Sequence, residues 1–199
     1  MSAPVLLASA SPHRKILLER LGLPFVVEQS AVDEEAYPER DPVLRATNLA
    51  RLKAEDRARC HPDHWIIGCD TLVVASDSLL LEKPDGAAEA ASMLRRQSSA
   101  TSVVHSAVCI VGPDGRTHEG ISSSRVTFRT LTEADISWWI GTNLWEGRAG
   151  GFQLDGLGQT LIERLEGDWT GVVGLPVFLL TSLFDRAGFD WKAVLHPPS

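Results

Sequence analysis

The sequence predicts a mixed α/β fold, and three observations carry that expectation. Short apolar runs alternate with amphipathic stretches early in the chain. The segment 65–74, WIIGCDTLVV, is almost continuously apolar, as strands buried on both faces are. A Gly-Pro-Asp-Gly turn at 112–115 separates two further strand-like runs, as in a hairpin. Together they predict a mixed, twisted sheet with helices around it.

Taken in order, Val5-Leu6-Leu7-Ala8 reads as a short buried strand. Ser11 is a good N-cap, and Pro12 suits the first helical position because its missing N–H costs nothing there. The helix that follows presents Ile16, Leu17 and Leu21 as its buried face and stops at Gly22. A second strand is expected over 24–28, then a loop through Val32-Asp33-Glu34-Glu35. From 42 to 59 a long helix is predicted, with Val43, Ala46, Ala50 and Lys53 on one stripe. A lysine is therefore aligned with an apolar face. After the strand at 65–74, Leu79-Leu80-Leu81 runs toward Glu82-Lys83-Pro84, and 86–96 reads as a helix. Strands are expected at 103–111 and 125–128, and a helix from Thr132 to Ile140 with Asp135 completing its cap. The glycines between 141 and 158 predict a loose or tightly turned loop. A short strand at 160–163 and a helix at 177–187, opened by Gly174-Leu175-Pro176, complete the chain.

Size and composition exclude several classes of function. The 199 residues suit one α/β domain, and 44% hydrophobic with 23% charged residues is ordinary for a globular protein. No apolar run approaches the ~18 residues of a membrane span, and no basic segment precedes an apolar stretch at the N-terminus. The formal charge of -7 argues against a nucleic-acid backbone as partner. Cys60, Cys69 and Cys109 are an odd number without a CxxC pair, so a reducing cytoplasm is expected.

Four segments have the chemistry of a site. Ser9-Ala10-Ser11-Pro12-His13-Arg14 joins a strand to a helix start, where backbone N–H groups, two hydroxyls and an arginine favour an anion. A plain capped helix is the alternative reading. Asp70 interrupts an apolar strand, and a buried carboxylate needs a partner or a metal. A structural ion pair satisfies that need as well as a catalytic role does. Lys53 and Lys83 suit phosphates, or a snorkelling helix residue and an ordinary loop. Asp33-Glu34-Glu35 is a solvated acidic loop, or with Asp70 a Mg²⁺ site. The histidines lack HExxH spacing, which argues against zinc. Trp138 and Trp139 read as core, whereas Trp145 and Trp169 lie in predicted loops where either could stack on a base.

Together these segments resemble the Maf family of septum-formation-type nucleoside triphosphate pyrophosphatases. The resemblance rests on LLASASPHRKILLERLGLPF, VDE at 32–34, LARLKA at 49–54, IIGCDTLVV at 66–74 and EKP at 82–84. VTFRTLTEADI at 126–136 and ERLEGDWTGVVGLP at 163–176 continue it, in order, from about Val5 to Leu183.

It implies one Maf/ITPase-like α/β domain over 1–199, with two lobes around a central cleft, often assembled as a homodimer. It further implies hydrolysis between the α and β phosphates, with Mg²⁺ or Mn²⁺ as cofactor and no nucleic acid or membrane as partner. Asp70 takes the place of the family's proton acceptor, with Glu34 and Lys53 beside it in catalysis and Glu34 and Asp70 toward the metal. Ser9, Arg14, Lys53 and Lys83 match its polar cleft, and Ser11 adds a hydroxyl for phosphate at the helix start.

His13, Thr71 and Asp155 fall where the family varies with base preference. Thr71 agrees with a branch that prefers dTTP and UTP. Asp155 agrees in charge with one that prefers 7-methyl-GTP. His13 matches neither, and Glu82 replaces a usual glycine beside Lys83. An ionised aspartate only accepts hydrogen bonds, so Asp155 favours a donor-rich edge such as that of 7-methylguanine. The rival reading is a nucleotide-binding regulator of cell division with little turnover. The five charged positions Arg14, Glu34, Lys53, Asp70 and Lys83 favour an enzyme, because a binder need not keep both carboxylates.

Overall fold

The computed structural model describes residues 3–34 and 36–195; Glu35 of the acidic loop lies outside them. Seven strands form a mixed sheet: β1 (Val5–Leu7), β2 (Phe25–Val27), β3 (Trp65–Val74), β4 (Leu80–Leu81), β5 (Thr101–Val111), β6 (Thr117–Phe128) and β7 (Ile162–Glu166). Their order is β2-β1-β3-β5-β6-β7, with β4 paired to β3. The helices are α1 (Pro12–Leu21), α2 (Pro42–Ala58), α3 (Ala87–Gln97), α4 (Glu133–Gly141), α5 (Trp169–Val173) and α6 (Val177–Ala187).

The chain divides into two compact units, and β3, β5 and β6 each run from one into the other. The first comprises the residues up to Asp70, Ser106–Ser122 and those from Gly174 on. Here β1 pairs in parallel with both β2 and β3, so each return of the chain needs a crossover, supplied by α1 and α2. Pro12 opens α1, and Gly22 closes it in the left-handed conformation at φ 75°, as the sequence predicts. Its buried side chains are Leu17 and Leu18, while Ile16 is 41% exposed, which shifts the predicted face by one position. On α2 the stripe of Ala46, Ala50 and Lys53 is buried as predicted, and Val43 in the first turn is 37% exposed.

Gly68, in the middle of β3, explains how closely α2 lies on the sheet. A Cβ there would stand 2.1 Å from the Ala50 carbonyl oxygen and 2.7 Å from the Ala54 amide nitrogen. Both are backbone atoms, so no side chain can yield. Gly68→Ala is therefore expected to cost about 3 kcal/mol, at the upper end of ordinary overpacking. Urea unfolding of the variant checks it; an unchanged midpoint would mean that α2 can move off the sheet freely.

The second unit holds Thr71–His105 and Ser123–Val173. Its core packs Leu94 of α3, Val126 and Phe128 of β6, Trp139 of α4 and Phe152. Thr132 and Asp135 form the predicted capping box at the start of α4.

Three sequence expectations change here. The return strand of the hairpin begins at Thr117 rather than 125; its first half is polar and only partly buried, so no apolar run marks it in the sequence. The predicted strand at 160–163 shifts to β7 (Ile162–Glu166), preceded by a 3-10 turn at Gly156–Leu161. Among the described residues β7 pairs only with β6, at the end of the sheet, where its charged side chains stay in solvent. The glycine-rich stretch is packed rather than loose. Gly150 and Gly151 are buried; the Gln97 amide donates to the Gly150 carbonyl at 2.8 Å, and the Trp139 indole to that of Gly151 at 2.9 Å.

Candidate active site

In the first unit, the fold brings three predicted residues to one point. Lys53 projects from α2, and its Nζ donates to Asp70 Oδ1 of β3 at 2.7 Å. The same ammonium meets Glu34 Oε1 at 3.0 Å. Lys53 and Asp70 are each 4% exposed, whereas Glu34 is 47% exposed on its loop. Two carboxylates and one ammonium leave a formal charge of minus one. Asp70 Oδ2 is buried and has no hydrogen-bond partner among the described residues. Such an oxygen costs about 1–3 kcal/mol in desolvation unless water or an ion meets it.

The Ser9 to Arg14 segment is built as an anchored helix entrance. Ser9 is buried, and its Oγ accepts from Arg14 Nη1 at 2.9 Å and from the Ser11 amide at 3.3 Å. Arg14 Nε also donates to the Gly174 carbonyl at 2.9 Å. The Ser11 hydroxyl makes no capping hydrogen bond to α1, and Pro12 opens the helix. His13 lies in the first turn, half-buried.

The remaining predicted residues belong to the second unit. Thr71 follows Asp70 along β3 and is half-buried. Lys83 is exposed between β4 and α3. Its neighbour Glu82 accepts from the Gly150 amide at 3.1 Å, which ties the Lys83 loop to the glycine-rich turn. Gly150 has φ 72°, a conformation that suits glycine.

Beyond that turn, Gln153 is buried and its amide donates to the Asp155 carbonyl. Arg148 Nη1 stands 3.7 Å from Asp155 Oδ1, an ion pair too long for a hydrogen bond. Burial lowers the Arg148 pKa from its ordinary value, and the Asp155 charge partly opposes that. Arg148 and Gln153 were invisible to motif reasoning; their only signal is their place among glycines. Trp145, read from the sequence as a loop residue that could stack on a base, is instead core: it is buried, and its indole donates to the Ile140 carbonyl at 3.0 Å. Trp169 is exposed on α5.

Among the described residues all three cysteines are free, and burial pushes the Cys69 thiol up to about 11. No helix among them is long and apolar enough to cross a membrane.

A buried lysine between two carboxylates on an α/β scaffold is a charged cluster of a kind found in active sites and in structural ion pairs alike. The chain belongs to the Maf family, whose sequence profile, described as Maf-like protein, matches residues 4–187. A protein of Deinococcus radiodurans is 43% identical over 184 residues, covering 92% of this chain and 93% of its own. One from Moorella thermoacetica is 40% identical, covering 96% and 98%, and one from Pyrococcus furiosus 37%, covering 91% and 94%. All three relatives carry the name dTTP/UTP pyrophosphatase.

Proposed function

We propose that this chain cleaves the α–β anhydride of nucleoside triphosphates, releasing a nucleoside monophosphate and pyrophosphate, with Asp70 as proton acceptor. It is a hydrolase acting on acid anhydrides, a nucleoside triphosphate pyrophosphatase. The observation that carries the role of Asp70 is its buried Oδ2, without a hydrogen-bond partner among the described residues, beside an Oδ1 held by Lys53. One oxygen orients the carboxylate and the other is left to take a proton from water. In the first unit Arg14 and Lys53, with the Ser9 and Ser11 hydroxyls, would supply positive charge and donors for a polyphosphate; Lys83 of the second unit is proposed as a phosphate ligand from its motif alone.

The donor set also fits a divalent cation. Among the described residues no three His, Cys, Asp or Glu side chains gather as a cage. Mg²⁺ does not need one, since it takes one or two carboxylates together with phosphate oxygens and water. Asp70 and Glu34 are the residues that would hold Mg²⁺ or Mn²⁺, which when bound neutralises phosphate charge.

For the base, the proposed reading is uracil or thymine, after the relatives' names and Thr71. Asp155 is not the isolated acceptor that the sequence suggested, because Arg148 stands beside it and adds a donor. A donor next to an acceptor matches the N3–H and carbonyl of an imide edge. The second reading, 7-methyl-GTP, rests on the negative charge of Asp155 and its Oδ1, which has no hydrogen-bond partner among the described residues. Pyrophosphate release from UTP, dTTP, 7-methyl-GTP and 5-methyl-CTP, with Mg²⁺ or Mn²⁺ and again with chelator, tests both. One matched polar contact is worth about 10- to 100-fold in kcat/KM, and UTP or dTTP is expected to lead by that margin. A lead for 7-methyl-GTP reverses the assignment of the base. No turnover of any triphosphate returns the chain to the binding-regulator reading.

A further inference from the structure

Glu34 poses a positioning problem. It sits on the loop between β2 and α2, with its side chain half in solvent, yet its carboxylate reaches a buried ammonium. A loop residue does not hold such a place unless the backbone around it is fixed. α2 fixes it at two points. Near the first turn of the helix, the Arg45 guanidinium donates to the Glu34 carbonyl at 3.1 Å. Toward the end of the helix, Asp56 Oδ2 accepts from the Ala31 amide at 2.8 Å. Lys53 lies between these points on the same helix. Asp56 and Arg57 follow it by three and four residues, which places them one turn further along its side.

The start of the loop is held by the same cluster. Arg57 Nε donates to Asp56 Oδ2 at 3.0 Å, and its Nη1 pairs with Glu28 just beyond β2. His61 Nε2 meets the other Glu28 oxygen at 2.7 Å. The Arg57 and Asp56 side chains are sheltered, 15% and 21% exposed, whereas Glu28 is 42% exposed. The Asp56 carboxyl is held below its ordinary pKa, with the Ala31 amide as the largest cause. Its hydrogen bonds and ion pairs among the described residues go to Ala31 and Arg57, and none to Lys53 or Asp70.

We propose that Asp56, bridged to Glu28 by Arg57, is a positioning residue for turnover: it pins the loop at Ala31 so that Glu34 reaches Lys53. The inference rests on the role proposed above for Glu34. The alternative is a clasp that stabilises the fold and nothing more.

The test measures kcat and KM for UTP with Mg²⁺, and the Tm, of Asp56→Ala, Asp56→Asn, Glu34→Gln and the double variant Asp56→Ala/Glu34→Gln. Asp56→Ala is expected to lower kcat about 10- to 100-fold, the range in which a displaced group costs rate, with KM within about threefold. Asp56→Asn keeps an oxygen for the Ala31 amide and recovers most of that loss. In the Glu34→Gln background, Asp56→Ala adds nothing, because the group it positions no longer acts. Full additivity in the double variant overturns the inference, as does a kcat loss that follows Tm and is not rescued by Asn. If Glu34→Gln itself turns over normally, the role of Glu34 fails and the inference with it, a result distinct from additivity.

Discussion

Asp70→Asn is expected to lower kcat by about 10²- to 10⁴-fold, the contribution of a positioned general base, while KM for the triphosphate stays within about threefold. Asparagine has nearly the same shape, and its amide oxygen still accepts from the Lys53 ammonium that now stands 2.7 Å from Oδ1. The other atom changes in kind. Oδ2, buried and without a hydrogen-bond partner among the described residues, becomes an NH₂ that donates and cannot take a proton. Binding survives because Arg14, Lys53 and Lys83 keep their charges for the phosphates, and Glu34 and the asparagine oxygen remain for the cation. Pyrophosphate release under single-turnover and steady-state conditions reads the two effects separately. A kcat within about tenfold of the parent would remove Asp70 from the proton-acceptor role.

Lys53→Met carries the second large effect, this time on stability. Lys53 and Asp70 are both almost fully buried, and the ammonium is the charge partner of that carboxylate. Methionine fills much of the same volume but leaves an uncompensated charge, for which about 3–5 kcal/mol is typical. Urea unfolding at neutral pH measures it. The double variant Lys53→Met/Asp70→Asn should regain a large part of that loss, because no ionised carboxylate is then left buried. It should also be inactive, which separates the stabilising and catalytic consequences of the same pair. If the double variant is no more stable than Lys53→Met, the cost comes from packing around the lysine stem rather than from charge.

Much of the candidate site was legible beforehand because its residue types are out of place. A lysine on the apolar stripe of α2 and an aspartate inside the apolar β3 each lacked a local reason, and each proved to be the reason for the other. Helix ends were legible for a related cause: Pro12, Gly22, Thr132 and Asp135 act on backbone within one turn of themselves. The misses are the converse. Arg148 resembles any loop arginine in sequence, and its pairing with Asp155 depends on a turn held by Gln97 and Trp139 from two other helices. Trp145 looked available because a predicted loop surrounds it, but burial is a property of what packs over a residue.

By itself the sequence determined the order and kind of nearly every element, the position of the buried strand, and the set of charged residues proposed to handle phosphate. Those depend on periodicity, capping and composition, which act over a few residues. Only the tertiary structure decided that Glu34, Lys53 and Asp70 converge, and that Asp70 keeps one oxygen on the ammonium and the other without a partner among the described residues. The physical reason lies at Gly68. With no Cβ there, the α2 backbone rests against β3, so the lysine stem reaches the strand, and the loop pinned on α2 carries Glu34 to the same ammonium.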